Sequence, residues 1–146
     1  MAVIKCNLFY KNYIIDLSNR DITNIKKIGV FTGPPSDGGG SQTLLLNNND
    51  IININIDNFD IGVLNLDNCN IQTLKDFNNE FWISLYKLSL KNNNIINYET
   101  IEMLQWAQNL RAFVNPCIFY FEGNPASPIG TTFEQILLTK NVTCIY

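Results

Sequence analysis

The run Leu85-Tyr86-Lys87-Leu88-Ser89-Leu90-Lys91-Asn92-Asn93-Asn94-Ile95 decides the fold. Leu88 and Leu90 stand two apart, so both point to one side of an extended strand while Lys87 and Ser89 point to the other. Leu85 prepares the strand. Asn93 follows, where the chain must turn away from the strand, and Ile95 returns to the apolar side. An asparagine suits that turn because its amide both donates and accepts. It can therefore bond backbone groups of neighbouring turns that no sheet ladder reaches.

Sliding the chain over itself finds the same pattern four more times. Leu44, Leu46, Asn49 and Ile51 repeat its second half. Leu64, Leu66, Cys69 and Ile71 repeat it with a cysteine in the asparagine slot. Ile15, Leu17 and Ile22 carry Arg20 in that slot, which fits a terminal turn with one neighbour missing. Phe119, Phe121 and Asn124 repeat it with larger side chains before Pro125 breaks it. Spacings from Ile15 to Leu44, Leu64, Leu88 and Phe119 are 29, 20, 24 and 31 residues. The two long ones hold inserts. Residues 32–42 form a loop by composition, with Gly33-Pro34-Pro35 and Gly38-Gly39-Gly40. Residues 99–117 hold a helix near Glu99 to Arg111, where Ile101, Leu104, Trp106, Ala107 and Leu110 recur at helical spacing.

The expected fold is α/β: a right-handed repeat solenoid with a parallel concave sheet, about five repeats and a C-terminal helical cap. The whole chain, 1–146, reads as one domain. Residues 1–12 supply an N-terminal cap strand (Val3 to Tyr10), 13–125 the repeats and 126–146 the cap, with a helix over Phe133 to Leu138. Strands are predicted near Ile14–Ser18, Thr43–Asn47, Val63–Asp67, Lys87–Lys91 and Ile118–Glu122. Irregular turns are expected behind repeats two and three.

Composition narrows the function. Charged residues make up only 16% of the chain and the net charge is −3, so the basic patch that grips nucleic acid is missing. Asparagine, with 23 copies, takes the place of charge. The Asn runs alternate with Leu and Ile, which argues against low-complexity disorder. There is no histidine, and the four cysteines, Cys6, Cys69, Cys117 and Cys144, are far apart, so neither a metal site nor a neutral-pH general base is expected. The glycine-rich stretch lacks both a phosphate-loop Gly-Lys-Ser/Thr and a dinucleotide fingerprint. Asp16, Asp67 and Glu122 are scattered one per repeat. No catalysis and no cofactor are expected. Met1 to Cys6 does not read as a signal peptide, no run is long enough for a membrane span, and the thiols fit a reducing, intracellular address, cytoplasmic or nuclear.

These motifs resemble the leucine-rich-repeat superfamily from about Tyr13 to Tyr146. The stretch Phe119-Tyr120-Phe121-Glu122-Gly123-Asn124-Pro125, then Phe133 to Leu138, Val142 and Ile145, resembles the Gly-Asn-Pro strand and C-terminal cap of the SDS22-like, U2 A-prime-like group. Lys140-Asn141-Val142 stands where that group has Pro-Asn-Leu. The resemblance implies an adaptor that docks a partner helix or peptide on its concave face, as a monomer or a subunit of a hetero-complex. The alternatives it leaves are a ribonucleoprotein assembly subunit and a structural subunit of a large particle.

Residues between the core leucines line that face. They are Tyr13, Ile14 and Asp16 in the first repeat, Leu45 in the second, and Val63 and Asn65 in the third. Tyr86, Lys87 and Ser89 follow in the fourth, with Ile118 and Tyr120 in the fifth. Gln42, Gly62 and Cys117 complete the column of Tyr13 and Tyr86. An apolar, tyrosine-bearing surface rimmed by polar residues has the character of a protein interface. Lys87 and Lys91 are placed to pair with a partner's acid.

Overall fold

The structure is a computed structural model that describes residues 14–25, 42–54, 61–77 and 85–146. The expected cap strand, Tyr13 and the glycine-rich insert, apart from Gln42, lie outside the described residues. The fold is mixed α/β. Its strands are β1 (Ile14–Asp16), β2 (Asn24–Ile25), β3 (Gln42–Leu45), β4 (Asn53–Ile54), β5 (Ile61–Asn65), β6 (Lys87–Ser89), β7 (Cys117–Tyr120) and β8 (Val142–Ile145). Its helices are α1 (Ile101–Asn109) and α2 (Thr132–Thr139). Six strands form one open parallel sheet in the order β1-β3-β5-β6-β7-β8. The five strands expected from the repeats are all present and adjacent, and β8 extends the sheet beyond them.

The register follows the sequence spacing. Ile15, Leu44, Leu64, Leu88, Phe119 and Cys144 stand side by side across the sheet. Apart from the half-buried Ile15 at the first strand, the inward row is buried, as is the next one, Leu46, Leu66, Leu90 and Phe121. Between them these rows build the core. A second, two-stranded sheet pairs β2 with β4 behind the first. Irregular turn was expected at β4; instead the Asn-Ile pairs, Asn24-Ile25 and Asn53-Ile54, stack on each other in register.

The turns after the strands explain the asparagine runs. Asn19, Asn48, Asn68 and Asn92 have φ between 53° and 58°, and Gly123 takes the same place with φ 74°. Asparagine enters this left-handed region more readily than other side chains except glycine. Gly123 has a further reason, since a Cβ there would stand 2.0 Å from Asn92 Oδ1. The N–H groups of Asn48, Asn68 and Asn92 donate to Asp67, Lys91 and Glu122 carbonyls of the next turn at 2.8–3.0 Å. The residue after each is the ladder residue. Asn49 Oδ1 accepts from the N–H groups of Arg20 and Ile22, and its Nδ2 donates to the Leu17 and Leu46 carbonyls. Asn93 does the same for Cys69 and Ile71, and for the Leu66 and Lys91 carbonyls. Asn124 accepts from Ile95 and donates to Leu90 and Phe121. Thus an Asn-Asn pair divides two tasks: the first residue bends the chain and the second ties it to the turn before.

The C-terminal third is filled by aromatics. Tyr98 lies 5.4 Å from Phe121 and 5.3 Å from Phe133, centroid to centroid, and Trp106 stacks on Phe133 at 6.2 Å. Trp106 Nε1 donates to the Phe77 carbonyl at 3.1 Å. Helix α1 starts at Thr100, whose hydroxyl accepts from Met103 N–H. Its buried stripe is Met103, Trp106, Ala107 and Leu110. Ile101, expected in the stripe, is exposed, and Leu104 is half-buried; Met103 replaces them because the helix rolls to place Trp106 against Phe119 and Phe133. Thr131 caps α2 by accepting from Glu134 N–H, and the Glu134 carboxylate accepts from Gly130 N–H. The first bond satisfies a donor the helix leaves open, and the second ties the residue before the cap to the first turn.

Replacing Asn93 by Ala strands the N–H groups of Cys69 and Ile71 and the carbonyl of Leu66 in a buried place. Each such group costs about 1–3 kcal/mol. Chemical denaturation should show a loss of at least about 3 kcal/mol. Cys69 supplies that slot with only a weak donor, to the Leu46 carbonyl at 3.2 Å and the Asp67 carbonyl at 3.4 Å. Cys69→Asn should therefore shift the denaturation midpoint upward.

Candidate functional site

Period-two alternation sends every second residue of the sheet outward. Two outward rows result. One runs Ile14, Thr43, Val63, Lys87, Ile118, Thr143; the next runs Asp16, Leu45, Asn65, Ser89, Tyr120, Ile145. Ile14, Asp16, Leu45, Val63, Asn65, Lys87, Ser89, Ile118 and Tyr120 all fall on these rows. Tyr86 borders them at the start of β6. Ile14 is 69% exposed, Tyr86 48% and Ile118 36%, while Leu45, Val63 and Tyr120 are half-covered. Apolar side chains therefore recur along the first row at Ile14, Val63 and Ile118, with Thr43 and Lys87 between them.

Three positions differ from expectation. Cys117 is fully buried, because Ile118 after it faces out and alternation turns Cys117 in. Gly62 is buried as well. Ser89 lies on the outward row but is only 4% exposed. Its hydroxyl donates to Asp67 Oδ1 at 2.6 Å, and that oxygen also accepts from Lys91 N–H at 2.9 Å. Ser89 is thus held inside a network across three residues.

The sequence did not reveal the arrangement around Tyr120. Lys87 Nζ lies 5.0 Å from its ring centroid and Lys91 Nζ 4.8 Å, close enough for both cations to feel the ring's negative face. Lys91 Nζ also meets Glu122 Oε2 at 2.8 Å. This hydrogen bond, followed by the Glu122 charge, raises the Lys91 pKa. Spacing placed Lys91 and Glu122 on one edge; only the register between β6 and β7 makes them partners. At the first strand, Asp16 Oδ1 accepts from Ser18 N–H at 2.9 Å.

The described cysteines lie behind this face, in the core. Burial pushes the Cys69 thiol up to about 11 and the Cys117 and Cys144 thiols up to about 12. A thiol so raised is a poor nucleophile near neutrality. Among the described residues no group of three or more His, Cys, Asp or Glu side chains comes together as a metal site. Below the sheet edge, Asp21, Asp50, Asn48, Asn68 and Asn70 line an open depression of about 620 Å³ formed by the stacked turns. No described helix is long and apolar enough to cross a membrane.

Compared with family models, curated proteins and solved structures, the chain matches none.

An aromatic disulfide reagent applied at about pH 8, below all three thiol pKa values, should label none of Cys69, Cys117 and Cys144 until denaturant is added. Labelling of any of them in the folded protein at the rate of a free thiol would contradict their placement in the core.

Proposed function

We propose that the chain is a leucine-rich-repeat solenoid of the SDS22-like kind, and that it acts as a non-catalytic adaptor which binds another protein on its outward sheet face. The observation that carries the reading is the apolar row Ile14, Val63 and Ile118, continued by Leu45, Tyr86 and Tyr120. These side chains face outward from strands whose opposite side already fills the core. Apolar groups gathered on one rigid surface gain about 25 cal/mol for each Å² a partner removes from water. Tyrosines at its centre add contact area at low entropic cost. The repeat spacing, the in-register parallel strands and the asparagine ladder support the solenoid reading. A partner segment lies across the sheet in this account, so the residues between the leucines set specificity.

The likeness of Gly123-Asn124-Pro125 to the U2 A-prime-like group leaves one narrower version, in which the adaptor is a subunit of a ribonucleoprotein particle. There the sheet face holds a protein and direct RNA contact is slight. Retention of RNA together with that protein through a salt wash, from the native source, separates this version from a free adaptor.

The test uses matched variants of the immobilised chain. Tyr86→Glu with Ile118→Glu alters two exposed positions on the face, and Ile96→Glu alters an exposed position away from it. The face variant should lose at least about tenfold in affinity for a partner that the wild type and Ile96→Glu retain, a change of about 1.4 kcal/mol. Equal retention by the face variant, with folding intact by circular dichroism, would refute the reading.

A further inference from the structure

Resting on the docking surface described above, we propose that the protein segment bound there presents a carboxylate side chain, Asp or Glu, to Lys87. Between the apolar Val63 and Ile118 of the outward row stands one cation, Lys87. Val63 and Ile118 flank Lys87 on the neighbouring strands, each about 4.8 Å away in the plane of the sheet. A segment that covers Val63 and Ile118 therefore also covers the ammonium between them.

Nearby carboxylates are already engaged. Glu122 is paired with Lys91 at 2.8 Å. Asp67 accepts from the Ser89 hydroxyl and the Lys91 N–H. Among the described residues Lys87 has no ion pair, and its contact is the Tyr120 ring at 5.0 Å. That ring serves two cations, Lys87 and Lys91, of which Glu122 neutralises one. Asp67 keeps its charge but, among the described residues, no carboxylate stands within ion-pair distance of Lys87, which is held over an aromatic ring between Val63 and Ile118.

Its consequence for a ligand is energetic. Water satisfies Lys87 while the face is open. Covering it with an apolar or basic residue removes that water and leaves a charge without a partner, which is costly. A carboxylate supplied by the ligand replaces the water with a charge-assisted hydrogen bond. An exposed ion pair would contribute little, but this one forms under cover, where screening is weaker. The gap in the apolar row thus rejects ligands without an acid at the matching position, which is specificity by penalty.

The experiment pans a library of random 16-residue peptides displayed on phage against the wild-type chain, Lys87→Met and Lys87→Glu. Wild type should select peptides with Asp or Glu beside Leu, Ile or Phe. Lys87→Glu should select Lys or Arg instead, and Lys87→Met should select no charge preference. A selected acidic peptide, measured by fluorescence anisotropy, should weaken at least about tenfold on Lys87→Glu. Equal charge content in the three selections overturns the proposal. The face variant Tyr86→Glu with Ile118→Glu distinguishes the two failures. Peptides that bind it unchanged sit elsewhere, and the docking reading itself falls. Peptides that lose it but keep full affinity for Lys87→Glu leave the docking reading standing and remove the acid. A library without binders to wild type overturns both.

Discussion

A parallel strand cannot satisfy the backbone of the turn that follows it, and the structure depends on how that deficit is met. Each turn leaves N–H and carbonyl groups facing the core, where water does not reach. Asn49, Asn93 and Asn124 meet them with side-chain amides that reach back to the preceding turn. An amide has two donor hydrogens and two acceptor lone pairs, and Asn49 and Asn93 use all four sites. These bonds help hold neighbouring turns at the strand spacing at which the core leucines pack. Hydrophobic burial drives the stack, and the ladder sets its register.

The two halves of the chain reinforce this constraint differently. In the first half the described back of the stack is a bridge between Asn-Ile pairs. In the second half the longer connections carry α1 and α2, and the core grows to hold Trp106, Phe119, Phe121 and Phe133. Glu99 links the two helical segments, since its carboxylate accepts from the Thr132 N–H at the start of α2. Crowding in this region has one cost: the buried Tyr98 hydroxyl has no hydrogen-bond partner among the described residues. Burial pushes its pKa up accordingly.

Strand positions and register were legible because they rest on local, periodic signals. The two-residue spacing of Leu88 and Leu90 fixes which side faces in, and the distances between repeats fix which leucines align. The ladder role of Asn93 was legible for the same reason. The bend at Asn92 was not separately read, although an asparagine doublet is its signature. Contacts between turns were the hidden part. Nothing local ties Lys91 to Glu122 across 31 residues, or Ser89 to Asp67 across 22, and the first of these contacts decides which of the two lysines on the face has an ion pair. Cys117 was misplaced on the surface because it was grouped with Tyr86, although it lies within its strand, where alternation turns the residue before Ile118 inward. The rolled stripe of α1 depended on Phe119 and Phe133, which sequence spacing around the helix does not show.

The central claim is that the asparagine amides bind one turn to the next. Amide hydrogen exchange followed by NMR tests it most directly. The N–H groups of Cys69 and Ile71, which donate to Asn93 Oδ1, should exchange as slowly as those of Leu66 and Leu90, which donate within the backbone ladder. In Asn93→Ala they should become at least about a hundredfold faster, a change of roughly 2.7 kcal/mol, while Leu90 N–H keeps most of its protection. Equal exchange rates for Cys69 and Ile71 in the two proteins would show that the side-chain amide is not what holds the turns together.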